Sequence, residues 1–537
     1  MKCYVYDNHF NEMSYHLPQL PSHSMLDTKN YRGKIIMKHA LHIGAFALLN
    51  FVSLNAHAYT CDITAENGAS ALLSIIATEV GQGDTLKVTS DATYGSIGSQ
   101  HVGGLFVCPG GTYTNDGATT AIEAYGAVID GTLNNKSSGT FSVDSSPFYL
   151  QGTGTVNNAP GSTFSVSGSV PGGSVYAGGT FNNSGAFSVS GGSQATVANF
   201  NNYAGATLAN SGTFNGNGTL TNTGTITTQG GGLFINNGTL ANQSGGILNQ
   251  WGQKMNNVGS LTNGGTVELD AYGGPGNGPT WSINNSGTML NQAGGTINIA
   301  PRSTSNSIYL SNTGTFTNQG VINNAGYIAN SGTFTIGSTG SVTGPGAYLQ
   351  SAGTTFVDGL LNAGGGVNVA GGLLKGTGTI SGPVTVNGGT VAPGHSPGLL
   401  TFTGNIDIQS GGVSIEIGGL TRGSQYSAIN AGSINLGGLL TVSLVDLGGG
   451  VFAPQAGSKF DILDASSITG SFSSFVLADL GSGLTWTHGI VALGNGVQAY
   501  ELGVISAPVP EPETYAMMLA GLGLLGVMAR RRKARHQ

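Results

Sequence analysis

The sequence predicts an all-β fold, a parallel β-helix of short stacked strands, with the right-handed form preferred. Three observations carry this reading. A six-residue unit repeats along the chain. Apolar and polar residues alternate inside it. Glycine supplies 93 of the 537 residues, while only 8% are charged.

The clearest run is NTGTFT, NQGVIN, NAGYIA, NSGTFT, whose units open at Asn312, Asn318, Asn324 and Asn330. Each unit has Asn first, Gly third and an apolar residue fifth: Phe316, Ile322, Ile328 and Phe334. Related units open at Asn210, Asn222, Asn236, Asn257 and Asn285. A short fixed period is the signature of a solenoid. Asn and Gly both accommodate positive φ, so N-x-G reads as a tight corner. The following Thr-Phe-Thr alternates with period two and reads as a strand with one inward side chain. Three such sides make a coil, and coils stack ~4.8 Å apart. The density of Gly and Asn, without an apolar stripe of period 3.6, argues against helix. Interruptions at residues 243–246 and 271–279 relax the period. That favours a right-handed helix over a strict left-handed hexapeptide prism.

Composition narrows the function classes. Residues 145–253 contain no Asp, Glu, Lys or Arg. Disordered chains carry charge and lack β-branched residues, whereas this chain is rich in Thr, Val, Ile and Phe. Asn, Thr, Ser and Gln make up the polar surface and suit stacked side-chain ladders. The net charge is −7. Without a basic face, binding of nucleic acid through phosphate contacts is not expected.

In chain order, residues 1–36 form a polar upstream extension without periodicity. Residues 37–58 read as a signal peptide: Lys38, an apolar run over 40–54, then Ala56-His57-Ala58 with cleavage after Ala58. The start is Met1 or Met37. Residues 59–130 read as an N-terminal β-rich cap holding Cys61 and Cys108. In an exported protein these two can bridge, with a contribution of ~4 kcal/mol on the chain-entropy model. Two unpaired thiols are the other reading. Residues 131–389 are the β-helix repeat region, roughly 13 coils extending ~60 Å. Residues 390–507 carry longer strands with more charge.

This last β region opens with Pro393-Gly394-His395-Ser396-Pro397-Gly398. It resembles the C-terminal end of autotransporter-type passenger regions, where a PGxSPG turn precedes strands that finish a β-helix. Gly423-Ser424-Gln425-Tyr426 fits that pattern, but Ser427 stands where the pattern has Asp. Residues 503–537 leave no room for a membrane β-barrel, so self-export is not expected.

Residues 508–537 combine Val509-Pro510-Glu511-Pro512, an apolar run over 515–529, and the basic residues Arg530, Arg531, Arg532, Lys533 and Arg535. This segment resembles the PEP-CTERM sorting signal of Gram-negative bacteria. The resemblance implies recognition by an exosortase-type enzyme, cleavage near Pro-Glu-Pro, and the company of exopolysaccharide production. As a helix the apolar run spans ~22 Å. It reads as a short transmembrane helix in transient contact with the inner membrane, with the basic tail cytoplasmic.

Catalytic signals are weak. Gly394-His395-Ser396-Pro397-Gly398 matches G-x-S-x-G, but a strand is expected after it, and Pro397 lacks the N–H that an oxyanion hole needs. His101, His395 and His488 are too far apart for a metal-ligand spacing. Glu268 and Asp270 lie two apart, which suits a surface pair beside the 271–279 loop. Lys254, Arg302, Asp358 and Lys375 are scattered. Trp251, Trp281, Tyr272 and Tyr309 are candidates for stacking on sugar rings. The expectation is an exported structural or adhesive protein of the cell surface or extracellular matrix, without catalysis, cofactor or metal. Its expected partners are exopolysaccharide or further copies of itself. The alternative is a β-helical polysaccharide lyase or hydrolase, which requires carboxylates gathered in one groove.

Overall fold

The computed structural model describes residues 85–88, 91–94, 99–168, 173–252, 254–270, 282–301, 309–507 and 512–533. The chain divides into Met1–Ile63 and Thr64–Gln537. The upstream extension, the signal peptide with Ala56 and Ala58, and Cys61 lie outside the described residues.

The second unit is an all-β parallel solenoid. One coil holds three six-residue units, one per side. Strand Thr315–Asn318 pairs with Thr288–Asn291 in one neighbouring coil and Thr333–Ile336 in the other. Val321–Asn324 lies between Thr296–Ile299 and Ser341–Gly344. Tyr327–Asn330 lies between Tyr309–Asn312 and Ala347–Gln350. The result is three parallel stacks around one core. Among the described residues the same parallel pairing begins with strand Thr85–Val88, and it runs on past residue 389 to Ser474–Leu477.

The alternation expected within each unit is present. Phe316, Ile322, Ile328 and Phe334 are fully buried. Parallel, in-register pairing sets like residues over like. Phe141, Phe164 and Phe187 therefore stack from coil to coil, with centroids 5.1 and 5.5 Å apart. Phe181 meets Phe164 and Phe187 edge-on from an adjacent side. These contacts favour one register over its neighbours, since a one-residue slip would turn the rings outward.

The reason for Asn and Gly in the repeat differs from the expectation. Gly314, Gly320 and Gly332 do not adopt positive φ. They are required because the coils approach closely there. A Cβ on Gly314 would overlap the carbonyl oxygen of Gly287, and one on Gly332 that of Gly314. The same clash recurs at Gly238, Gly259 and Gly287, so glycines stack into a column at this corner.

Asn is not a corner residue either. It lies at or next to the end of its strand with its side chain inside the solenoid. Asn115, Asn135, Asn158, Asn183, Asn202, Asn222, Asn242, Asn263, Asn291 and Asn318 are at most 1% exposed. Each Nδ2 donates to the Oδ1 of the next asparagine over 2.7–2.9 Å, without a break from Asn115 to Asn318. The sense of donation is forced. Nδ2 of Asn263 also reaches the carbonyl oxygens of Gly265 and Thr296, which only an N–H can satisfy.

A second inner ladder runs through Asn236, Asn257, Asn285, Asn312 and Asn330 to Gln350. It spans coils of unequal length. Asn312 and Asn330 are 18 residues apart, and Asn257 and Asn285 are 28 apart. The longer spacing includes residues 271–281, which lie outside the described residues. The ladder bonds are kept across both spacings.

This second ladder starts abruptly. Asn236 Oδ1 is buried without a partner, and the residue beneath it in register is Gly216. A Cβ on Gly216 would meet only ordinary van der Waals contacts. Gly216→Asn is expected to supply the missing donor, moving the unpartnered Oδ1 one coil down, and to raise the local stability of Leu233–Asn236 by about 1 kcal/mol. The measurement is hydrogen exchange of the Leu233–Asn236 amides. Unchanged or faster exchange would mean that the added side chain does not join the ladder.

The end of the stack has its own closure. Strand Val497–Ser506 pairs antiparallel with Lys459–Gly470 on one side and Leu484–Gly494 on the other. Leu502 and Val504 of this hairpin and Phe460 of the neighbouring strand are buried, so apolar surface left by the last coil is covered. Beyond it, Pro512–Lys533 forms a helix, as expected, but the transmembrane expectation is corrected. Among the described residues no helix is long and apolar enough to cross a membrane. The basic residues occupy its last turn and leave too short an apolar run.

Candidate functional site

Two regions carry the sequence-predicted site residues: the C-terminal segment and the surface of the solenoid. In the segment, Pro512 is the first residue of the helix. A proline suits that position, because the first helical N–H has no intrahelical partner. Val509, Pro510 and Glu511 lie outside the described residues, as does Arg535. Arg530, Arg531 and Arg532 are exposed in the last turn, and Lys533 ends the helix. Cations at a helix C-terminus interact favourably with its dipole. The apolar side chains before them are also exposed, among them Met517 at 74% and Leu519 at 66%.

Cys108 is buried and disulfide-bonded. It directly follows strand Ser99–Val107 and opens the next turn, its carbonyl accepting from Gly111 N–H over 2.9 Å.

The His-Ser turn joins strand Thr390–Pro393 to strand Leu399–Phe402, so no helix follows Ser396. Ser396 itself has φ of 102°. His395 points along the surface, where its Nε2 lies 2.7 Å from Asp358 Oδ1 and its ring stacks on Phe356. The same Asp358 oxygen accepts from the backbone N–H and hydroxyl of Thr377. Asp358 thus ties three coils together.

Ser427 explains the departure from the passenger pattern. It is 1% exposed, and its Oγ donates to the Pro393 carbonyl over 3.1 Å. An ionised Asp has no proton to donate, and at this site it would set a buried charge against a carbonyl. Nearby, Arg422 donates to the carbonyls of Asp461 and Ile429 and pairs with Asp464 at 3.0 Å. Burial nevertheless holds the Asp461 and Asp464 carboxyls above the usual range, with Arg422 opposing it. His488 stacks on Phe475 and receives or gives a hydrogen bond at Tyr500, whose hydroxyl burial pushes up to about 12. These are packing contacts that close the last coils.

Glu268 and Asp270 border a groove of about 360 Å³ with Asn298, Asn323 and Thr343. Glu268 Oε1 accepts from Asn298 Nδ2 at 2.7 Å, and Asn298 accepts from Asn323. The carboxylate ends an outer amide ladder. Lys254, Glu268 and Lys375 lie on three different stacks. Among the described residues no three metal-ligating side chains gather. His101 lies on a strand, and Arg302, Tyr272 and Trp281 fall outside the described residues. Trp251 is half-buried at a strand end.

Among the described residues, an exposed aromatic pair lies at positions that the sequence reading did not name. Tyr149 and Tyr176 are opposite each other on adjacent coils, with rings stacked 5.5 Å apart, and are 42% and 39% exposed. Sequence spacing hides this pair, since the partners are 27 residues apart and only the coil register joins them.

Residues 508–533 match the family model of the PEP-CTERM protein-sorting motif. No curated protein matches the chain.

Proposed function

We propose that this chain, exported and carrying a PEP-CTERM sorting motif at residues 508–533, is a structural or adhesive element of the cell surface or extracellular matrix. The observation that carries the reading is the junction of the two parts. A solenoid closed by its own antiparallel hairpin ends at Ser506, and the helix of the sorting motif begins at Pro512. The body is complete before the motif starts, so an exosortase-type enzyme can remove the motif without opening a coil. The reading is non-catalytic. The surface carboxylates Glu268 and Asp358 are already committed to Asn298, and to His395 and Thr377. The expected associates are exopolysaccharide and other matrix chains.

The test is processing of the full chain in a host with an exosortase-type enzyme and in one without it. The expected result is release of a form ending near Pro512, seen by terminal peptide mass spectrometry, only where the enzyme is present. Replacing Val509, Pro510, Glu511 and Pro512 together with Ala is expected to leave the chain unprocessed and cell-associated. Equal release from both hosts would overturn the reading.

A further inference from the structure

We propose that the outer face of the sheet containing strands Pro147–Leu150 and Ser174–Asn183 binds a neutral polysaccharide, with Tyr149 and Tyr176 as its stacking platform. This names a ligand class for the matrix role above and rests on that reading. The two rings are exposed although their strands hold fully buried Phe148 and Val175 on the inner side. Exposed tyrosine offers a rigid apolar face and a polar tip. A pyranose ring presents the matching pair, a C–H face and equatorial hydroxyls.

The platform continues into polar residues along the stack. Register sets Tyr176 opposite Thr196, and Thr196 opposite Asn215. Gln194 Nε2 and Asn215 Nδ2 both donate to Thr196 Oγ1. Amides and hydroxyls thus follow the aromatic pair, as recognition of successive sugar hydroxyls requires. A second tyrosine pair, Tyr309 opposite Tyr327, falls on the same stack further along.

Charge selects the class of glycan. Residues 145–253 carry no Asp, Glu, Lys or Arg, and the chain as a whole has a net charge of −7. A uronate-rich polyanion would find no cation on the part of this face formed by residues 145–253, and repulsion from the net charge of the chain. A neutral chain meets neither obstacle.

The experiment is affinity electrophoresis of the full exported chain in gels containing hydroxyethylcellulose or alginate. Wild type is expected to be retarded by hydroxyethylcellulose and not by alginate. The Tyr149→Ala/Tyr176→Ala double variant is expected to lose about tenfold in apparent affinity, the equivalent of one stacked ring. The Tyr149→Phe/Tyr176→Phe variant keeps the faces and is expected to keep binding. Tyr203→Ala removes an exposed tyrosine from a different side and is expected to change nothing. Far-ultraviolet circular dichroism of each variant confirms the fold. Retardation by alginate alone, absence of retardation, or full binding by the double alanine variant would each overturn the proposal. None of these outcomes depends on processing at the sorting motif, so the two readings fail separately.

Discussion

Gly314→Ala is expected to destabilise the solenoid by about 3 kcal/mol or more, the effect of forcing atoms into a packed backbone. The new Cβ would overlap the Gly287 carbonyl oxygen, which is main chain and cannot swing aside. Relief requires the two coils to separate, and that lengthens the flanking bond from Thr315 N to Gly287 O, now 2.9 Å. Gly231→Ala is the matched control. Its Cβ would meet no atom within 4 Å, and its φ is not positive. That change is expected to be neutral or to stabilise by about 0.5 kcal/mol, through a less flexible unfolded chain. Native-state hydrogen exchange is the right measurement, because a repeat array opens locally and one global free energy does not describe it. Amides around Gly314 should lose protection in the first variant, while those distant from it should not. Equal protection in both variants would show that the glycine column is dispensable.

Asn263→Ala is the second large effect, about 3 kcal/mol. Asn263 receives from Asn242 and donates to Asn291, Gly265 O and Thr296 O. Alanine removes all four contacts and leaves Asn291 Oδ1 buried without its donor. Asn201→Ala provides the contrast. Its Nδ2 donates to Asn182 Oδ1 at 2.9 Å on the half-buried outer face, where water replaces the lost group. The expected cost there is about 0.5 kcal/mol. The readout is protection of the amides of Thr288–Asn291. Similar losses at the two positions would mean that burial does not govern the ladder.

How much of this was legible in the sequence differs residue by residue. Phe316 and Phe334 were readable as core because period two places one apolar side chain inward. The same rule contained the ladder. Asn318 is two residues after Phe316 and so shares its face. The habit of assigning Asn to corners hid that consequence, because an isolated buried amide is costly and only stacking from coil to coil satisfies it. Glycine was placed at the right positions for the wrong reason, since close approach between coils involves residues about 20 positions apart. The sorting motif was legible because its three parts are contiguous. The Tyr149–Tyr176 platform was not, because it exists only after the register is known. The helix at 512–533 was expected, whereas its failure to reach membrane-spanning length followed from the basic turn that ends it.

The inner ladders have a direction, and direction makes their two ends different. The first terminus is an acceptor, as at Asn236, and the last is a donor. At Gln350 the longer side chain turns its amide onto the Ala352 carbonyl and absorbs that final donor. A chain entering the far side of a membrane N-terminus first would therefore assemble as a polymer does, each finished coil offering a bare N–H to the segment arriving next. The tip presents donors, and each following asparagine brings the Oδ1 that accepts from them. Gln350 closes this ladder, while the parallel strands continue beyond it to Ser474–Leu477. The body thus carries a polarity from one end to the other, written in which amide gives and which receives.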